Sequence, residues 1–241
     1  MKTVLVTGGA RRIGRAVAVH LAESGFQVAV HVHESVAAGE QLVDELRQRH
    51  GHALLVKGDL SSESDCAQMV HELKAQVGQV AVLINCASTF TEDSVLSFPI
   101  EALVDHLKVN AFGPLVLSRL SVQQLATTCI VNFLDSRVVD YDALHASYHL
   151  SKRTFDAITR MLAMELAPQV RVNAVAPGLI LPPEGKGDEY VEMRKKEIPL
   201  QRQGTLADIC QAVDFLINSG FVTGQTLFVD GGRHLKGAFY Q

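Results

Sequence analysis

The chain is 241 residues long, and 47% of these residues are hydrophobic while 20% are charged. This composition supports a large buried core and excludes an intrinsically disordered chain. The formal net charge is −4 and acidic and basic residues are mixed along the chain, so we expect no nucleic-acid partner. No stretch reaches the ~20 apolar residues of a membrane span, so we expect a cytoplasmic protein without a membrane partner.

Short apolar runs rich in β-branched residues recur along the chain and are typical of buried parallel strands. They occupy residues 2–6, 27–32, 53–58, 80–85, 129–133, 170–175 and 226–230. The segments between them carry apolar residues at helical spacing, as in Ile13, Val17 and Leu21. This alternation predicts right-handed crossovers and therefore an α/β fold with a Rossmann-type, doubly wound sheet of seven parallel strands. Because no linker divides the chain, we predict a single domain over residues 1–241.

The first strand leads directly into TGGARRIG, which opens the first helix. Glycines in such a turn keep it tight and let the helix N-terminus, with its free N–H groups, face a phosphate. Arg12 stands where a fingerprint of this kind has a further glycine. An ordinary strand-to-helix turn is the alternative interpretation. We predict a dinucleotide-phosphate site that includes Gly8, Arg11, Arg12, Ile13 and Gly14.

The second strand ends in HVHES, at the position that selects between the two nicotinamide cofactors. Three of its side chains suit a cofactor 2′-phosphate, namely His31, His33 and Ser35. Glu34 opposes this, because two like charges ~5 Å apart at a partly exposed site repel by a few kcal/mol. Since Arg11 and Arg12 add positive charge nearby, we predict NADPH as the cofactor. The two histidines lack a third ligand in the neighbouring sequence, so we predict no metal site.

A candidate catalytic pair lies in ASYHLSKR, after the fifth predicted strand. Tyr148 and Lys152 are four residues apart and therefore share one face of a helix. An ammonium group beside a phenol can stabilise the phenolate or relay a proton. A Y-x-x-x-K pair is also common on solvated helices, but its place in the strand order and the upstream Asn110 in LKVNAFGP favour catalysis.

The order of these motifs resembles that of the short-chain dehydrogenases/reductases over residues 3 to about 234. The resemblance implies a proton-relay set of Asn110, Tyr148 and Lys152, in which Lys152 also holds the nicotinamide ribose. It further implies cofactor contacts from GDL at 58–60, NCAS at 85–88 and PG at 177–178. The residues concerned are Asp59, Leu60, Asn85, Ala87, Ser88, Pro177 and Gly178.

The chain departs from that family at the fourth catalytic position, usually serine. The residue thirteen before Tyr148 is Asp135, in NFLDSRV. An ionised carboxylate only accepts hydrogen bonds and repels a developing alkoxide, which disfavours ketone reduction. A carboxyl group among apolar neighbours favours its protonated form and could donate to a ring nitrogen that has become basic on receiving hydride. Alternatively, a shift of one residue in the strand places Ser136 in the serine role.

Four departures together resemble the pteridine reductases and the bacterial dihydromonapterin reductases: Asp135, Arg12, the His-x-His-x-Ser strand end, and A-S-x-F after the fourth strand. This resemblance implies that Phe90 stacks on a pterin and that Ser88 contacts both pterin and cofactor. It also implies that Arg12 reaches the cofactor phosphate and the pterin edge. Leu179 is a candidate for the pocket wall, and residues 180–200 resemble a substrate loop.

We therefore predict an enzyme that uses NADPH to reduce a ring C=N of a dihydropteridine, of the dihydrobiopterin, dihydromonapterin or dihydrofolate type. By resemblance, Tyr148 and Asp135 supply or relay the proton, and Asn110 supports a water chain. Two alternatives remain open: a short-chain dehydrogenase acting on a carbonyl or alcohol, and a non-catalytic sensor of NADP(H). The apolar helices around 101–125 and 148–166 resemble that family's dimerising pair and imply a homotetramer.

Overall fold

The structure is a computed structural model that describes residues 1–183 and 185–236. The strands of these residues are β1 (Thr3–Val6), β2 (Gln27–Val32), β3 (Ala53–Lys57), β4 (Val82–Asn85), β5 (Cys129–Phe133), β6 (Arg171–Pro177) and β7 (Thr226–Val229). They form one seven-stranded sheet in the order β3-β2-β1-β4-β5-β6-β7, and every pairing is parallel. The prediction of a single Rossmann-type sheet is confirmed, and each strand lies within two residues of its predicted bounds.

Helices cover both faces of the sheet. They are α1 (Arg12–Glu23), α2 (Val36–His50), α3 (Glu63–Val77), α4 (Ile100–Leu107), α5 (Gly113–Leu125), α6 (Ala146–Glu165), α7 (Asp188–Lys195) and α8 (Leu206–Asn218). The helices α1, α2 and α8 pack on one face, and α3, α5 and α6 pack on the other. Across residues 1–183 and 185–236, no helix is long and apolar enough to cross a membrane.

Burial on both faces explains why the strands are apolar at nearly every position. In β1, Val4 and Val6 pack into the core under α1, α2 and α8, whereas Leu5 packs into the opposite core. All three side chains are fully buried. The strand order reverses at β1, which pairs with β2 on one side and β4 on the other. Ligands of open α/β sheets bind beside such a reversal, at the carboxyl ends of the strands.

Candidate active site

A cavity of about 900 Å³ lies at the carboxyl edge of the sheet. Most of the predicted site residues line it: Gly8, Arg11, Arg12, Ile13, Gly14, His31, His33, Ser35, Asp59, Leu60, Ala87, Ser88, Phe90, Asp135, Tyr148, Lys152, Pro177, Gly178 and Leu179. Two predicted residues, Asn85 and Asn110, are instead buried next to the cavity. The Asn85 amide donates to Ser118 and Asn132 inside the protein, so its cofactor contact stays a prediction.

The glycine turn after β1 has no room for side chains at two positions. Gly8 adopts φ +62°, and a Cβ there would lie 2.9 Å from the Cα of Ala87. A Cβ on Gly14 would lie only 2.2 Å from the carbonyl oxygen of Gly8. The hydroxyl of Thr7 accepts hydrogen bonds from the backbone N–H groups of Cys86 and Ala87, at 2.9 and 3.1 Å. Thr7, which sequence reasoning missed, thereby joins this turn to the loop after β4.

His31 lies beneath this turn and supports it from within the protein. Its Nε2 is 3.0 Å from the Gly58 carbonyl, and its Nδ1 is 3.3 Å from the backbone nitrogen of Gly8. These partners require a neutral ring that donates through Nε2 and accepts through Nδ1. Burial lowers the pKa of His31 to about 4, so the ring is uncharged at neutral pH. Its predicted phosphate contact stays a prediction, while the exposed His33 and Glu34 line the same end of the cavity.

Arg12 connects the glycine turn to a distant segment of the chain. Its backbone adopts φ +49°, the left-handed conformation that costs an L-residue about 1–2 kcal/mol. This explains why the family pattern has glycine at this position. The guanidinium Nη2 donates a 2.7 Å hydrogen bond to the carbonyl of Pro182. Arg12 therefore holds the start of the predicted substrate loop, a contact that the sequence did not reveal.

Asn110 lies in a short π-helical segment between α4 and α5, a feature frequent at functional sites. Its Oδ1 accepts from the Thr89 backbone N–H at 2.9 Å and from the Ser88 hydroxyl at 3.1 Å. Its Nδ2 donates to the Thr89 carbonyl at 3.1 Å and to the Ser151 hydroxyl at 3.0 Å. The Asn110 amide therefore clamps the loop after β4 against α6.

Tyr148 contacts Asp135, the residue that stands in the usual serine position. The Tyr148 hydroxyl donates to Asp135 Oδ2 at 3.0 Å, and Asp135 Oδ1 accepts from the backbone N–H of Arg137 at 2.8 Å. Ser136, the alternative, is buried at the start of a short 3-10 turn. Burial of the phenol, together with the charge and hydrogen bond of Asp135, raises the pKa of Tyr148 well above its ordinary value. Tyr148 therefore stays protonated at physiological pH.

Lys152 is almost completely buried beneath Tyr148. Its Nζ donates a 2.8 Å hydrogen bond to the carbonyl of Phe133, at the end of β5. The same Nζ lies 5.9 Å from the centre of the Tyr148 ring. Burial lowers the pKa of Lys152 to about 8, so its charge is lost just above neutral pH. The spacing predicted from the sequence thus brings an ammonium group and a phenol into one pocket.

Phe90 lies at the mouth of the cavity and is 47% exposed. Its ring stacks on His145 with centroids 4.2 Å apart, and it meets the Tyr148 ring edge-on at 4.7 Å. Beyond it, the carboxylate of Asp93 accepts hydrogen bonds from the backbone N–H and the hydroxyl of Ser147 at the start of α6. The chain on either side of Phe90 is therefore anchored, which holds an aromatic face at the pocket entrance.

The fold and this arrangement of Tyr148, Lys152 and the glycine turn are those of a nicotinamide-dependent oxidoreductase. Residues 8–234 match a family model described as enoyl-(acyl carrier protein) reductase, and the chain belongs to the short-chain dehydrogenase/reductase family.

Particular relatives share nearly the whole chain. A dihydromonapterin reductase of Citrobacter koseri is 30% identical over 238 residues, which cover 97% of each protein. A 3-oxoacyl-[acyl-carrier-protein] reductase of Staphylococcus epidermidis is 29% identical, with 97% of this chain and 99% of the relative covered. The crystal structure of FolM alternative dihydrofolate reductase 1 from Brucella suis, in complex with NADP, superimposes with a TM-score of 0.91. It is 37% identical, and the match covers 97% of this chain and 95% of that one.

We expect Arg12→Gly to loosen the segment that follows Pro182. Loss of one hydrogen bond, worth about 1 kcal/mol, should speed amide hydrogen exchange in α7 roughly fivefold. Global stability should change by less than about 1 kcal/mol, because relief of the left-handed backbone offsets the lost contact. Arg11→Gly is the matched control, since the Arg11 side chain makes no hydrogen bond within residues 1–183 and 185–236. Equal exchange in wild type and Arg12→Gly would contradict the role of this contact.

Proposed function

We propose that this protein is an NADPH-dependent reductase of dihydropteridines and produces their tetrahydro forms. Hydride adds to the carbon of a ring C=N bond and a proton adds to the nitrogen, so the C=N becomes CH–NH. The observation that carries the proposal is the hydrogen bond from Tyr148 to Asp135.

The carboxylate of Asp135 disfavours carbonyl chemistry and suits an imine-like substrate. Reduction of a ketone develops negative charge on oxygen, and a carboxylate in the usual serine position repels that charge. Reduction of a C=N bond instead makes a nitrogen that needs a proton. Burial and, after it, Asp135 keep Tyr148 protonated, so the phenol is available as the proton donor while the carboxylate holds its orientation. Lys152 adds a positive charge beneath the phenol.

The turn after β1 fits a dinucleotide, because Gly8 and Gly14 leave no room for a Cβ and the turn leads directly into the N-terminus of α1 at Arg12, which lines the cavity. When bound, NADPH supplies the hydride. We propose that Arg11, His33 and Ser35 receive its 2′-phosphate, with Glu34 turned toward solvent. At the other end, Gly178 packs so closely on Asp230 that a Cβ would lie 2.6 Å from the Asp230 Cβ, which shapes the turn for the nicotinamide.

The same cavity suits a flat, polar-edged substrate. We propose that Phe90 stacks on the pterin ring and that Ser88 and Leu179 line its edge and face. We propose that residues 180–183 and 185–200, which include α7, close the cavity as a substrate loop, and that Arg12 holds its start through Pro182. The names of two relatives support this substrate class, because dihydromonapterin and dihydrofolate share the dihydropterin ring.

A direct comparison of substrates tests the proposal. Purified protein is assayed with NADPH and with NADH against dihydromonapterin, dihydrobiopterin and dihydrofolate, and against a 3-oxoacyl thioester and a simple ketone. We expect turnover of at least one dihydropterin, with NADPH preferred. Turnover of the thioester or ketone alone would establish the carbonyl reductase alternative. Cofactor binding without turnover of any of these would support the sensor alternative.

Exchange of the carboxylate should change the substrate class. We expect Asp135→Ser to lower kcat/KM for the dihydropterin by about 100-fold, because Tyr148 loses the carboxylate that orients its proton, and to raise activity toward the ketone. Asp135→Asn keeps the shape but removes the charge, and should lower pterin turnover without a gain in ketone turnover. Ser136→Ala is the matched control; if it abolishes activity while Asp135→Ser does not, the assignment of the two neighbours is reversed.

The pH dependence should report Lys152. Because burial lowers the pKa of Lys152 to about 8, kcat/KM should fall as pH rises through that value and the ammonium charge is lost. Arginine stays charged across this range, so Lys152→Arg should lack the falling limb even if its maximal rate is lower. If kcat/KM of Lys152→Arg also falls near the same pH, the fall in activity belongs to the titration of another group.

We also propose that the protein assembles as a homotetramer through α4 and α6. Large apolar side chains are exposed on these helices, including Ile100 at 65% and Met164 at 83%. Light scattering should give four times the chain mass of 26.2 kDa. Met164→Lys should lower this mass, whereas the control Met193→Lys, on exposed α7, should not. A monomeric wild type would contradict the proposal.

A further inference from the structure

Two histidines and an aspartate form a cluster at the rim of the cavity, apart from the groups assigned to reduction. Asp142, His145 and His149 each direct a donor atom into the cluster, and these atoms lie within 4.8 Å of one another. Asp142 Oδ1 is 2.9 Å from His145 Nδ1 and 3.5 Å from His149 Nε2. His145 immediately precedes α6 and His149 lies in its first turn, four residues on, so their rings meet on one side of the helix.

Among the residues that the structure describes, His149 is buried without a close hydrogen-bond partner. Its side chain is only 5% exposed, and neither ring nitrogen makes a hydrogen bond to any residue that the structure describes. Such burial costs about 1–3 kcal/mol, and buried polar groups in native proteins nearly always have a partner. The Nε2 atom points toward the carboxylate of Asp142 but lies too far from it for a good hydrogen bond. An electron-pair acceptor between these atoms would satisfy the ring.

We propose that Asp142, His145 and His149 form a zinc-binding site. Two imidazole nitrogens and one carboxylate oxygen are a donor set of open three-ligand zinc sites, whose fourth position is left for water or another ligand. Two ligand atoms that are each about 2.0–2.1 Å from a tetrahedral ion lie ~3.3 Å apart. The distances from Asp142 Oδ1 to His145 Nδ1 and His149 Nε2, 2.9 and 3.5 Å, fall on either side of this value. The third separation, between the two imidazole donors, lies within 4.8 Å, so side-chain rotation would have to bring the rings together around an ion.

Each carboxylate oxygen of Asp142 has its own partners. Oδ1 accepts a 2.9 Å hydrogen bond from the Leu144 N–H, which holds the carboxylate in its orientation. The Nε of Arg137 is 3.5 Å from Asp142 Oδ2, so the guanidinium contacts the other carboxylate oxygen. Oδ1 retains a lone pair that an ion could use in place of the present contact with His145.

The site is part of the wall of the substrate cavity. The His145 ring stacks on Phe90, and the His149 ring meets Tyr148 edge-on with centroids 5.5 Å apart. A bound ion would therefore fix the aromatic wall and place positive charge beside Tyr148. The alternative is a metal-free cluster held by the hydrogen bond between His145 and Asp142, which leaves His149 unpartnered. The proposal does not depend on the identity of the reductase substrate.

The test is a titration of chelator-stripped, full-length protein with Zn²⁺ in competition with a chromophoric chelator. We expect one Zn²⁺ to bind tightly per chain. His149→Ala should bind Zn²⁺ at least about 100-fold more weakly, because loss of a ligand should cost more than the 10–100-fold loss of metal affinity that is typical when a residue supporting a ligand is changed. Asp142→Asn is a second, conservative variant should His149→Ala not fold. Co²⁺ bound in place of Zn²⁺ should give the intense visible absorption of a tetrahedral site in wild type, but not in His149→Ala or Asp142→Asn.

A matched control separates this site from adventitious histidine binding. His20 Nε2 lies 2.6 Å from Asp214 Oδ2, so this pair offers one imidazole and one carboxylate, and within residues 1–183 and 185–236 it is not part of a three-ligand cluster. His20→Ala should bind Zn²⁺ as wild type does, and Zn²⁺ should raise the melting temperature of both. The proposal is overturned if wild type binds no equivalent tightly, or if His149→Ala and Asp142→Asn bind as well as wild type.

Discussion

The strands of the sheet all run in one direction, and the site depends on this constraint. Parallel strands bring their carboxyl ends to one edge, so the turn after β1, the loop after β4 and the end of β5 converge there. Adjacent strands are only about 4.8 Å apart, which forces their following loops into backbone contact. Gly8 approaches Ala87 so closely that only glycine fits, and Thr7 bonds the two loops together. The cofactor cradle is thus a consequence of strand spacing.

Within this fold, we propose that one side chain sets the chemistry. Relatives that match nearly the whole chain include reductases of quite different substrates. A fold does not decide function, because function resides in the groups that the fold positions. We propose that a carboxylate at residue 135 changes the charge that faces the reacting bond; it accepts a hydrogen bond from the Tyr148 hydroxyl and, after burial of the phenol, contributes to the raised pKa of Tyr148. The selectivity that we propose therefore rests on electrostatics at a single position.

Sequence patterns over a few residues were sufficient to predict the features that depend on neighbouring residues alone. Strand and helix periods predicted all seven strands in the described residues, and the four-residue spacing placed Tyr148 above Lys152. The contacts of Arg12 and Asn110 were not predictable in this way. Arg12 bonds to a carbonyl 170 residues away, and Asn110 clamps a loop 21 residues before it. No periodicity encodes such pairs, because they form only when separate elements pack.

The sequence by itself determined the parallel sheet, the glycine turn and the kinds of groups available for chemistry, because apolar periods and glycine sterics act over a few residues. Only the tertiary structure decided that Asp135 rather than Ser136 contacts Tyr148. Successive residues at a strand end face opposite ways, so a shift of the strand by one residue would exchange the directions of these two side chains. The tertiary structure also decided that His149, unremarkable in sequence, is buried beside Asp142. Packing of a loop against a helix brought those groups together.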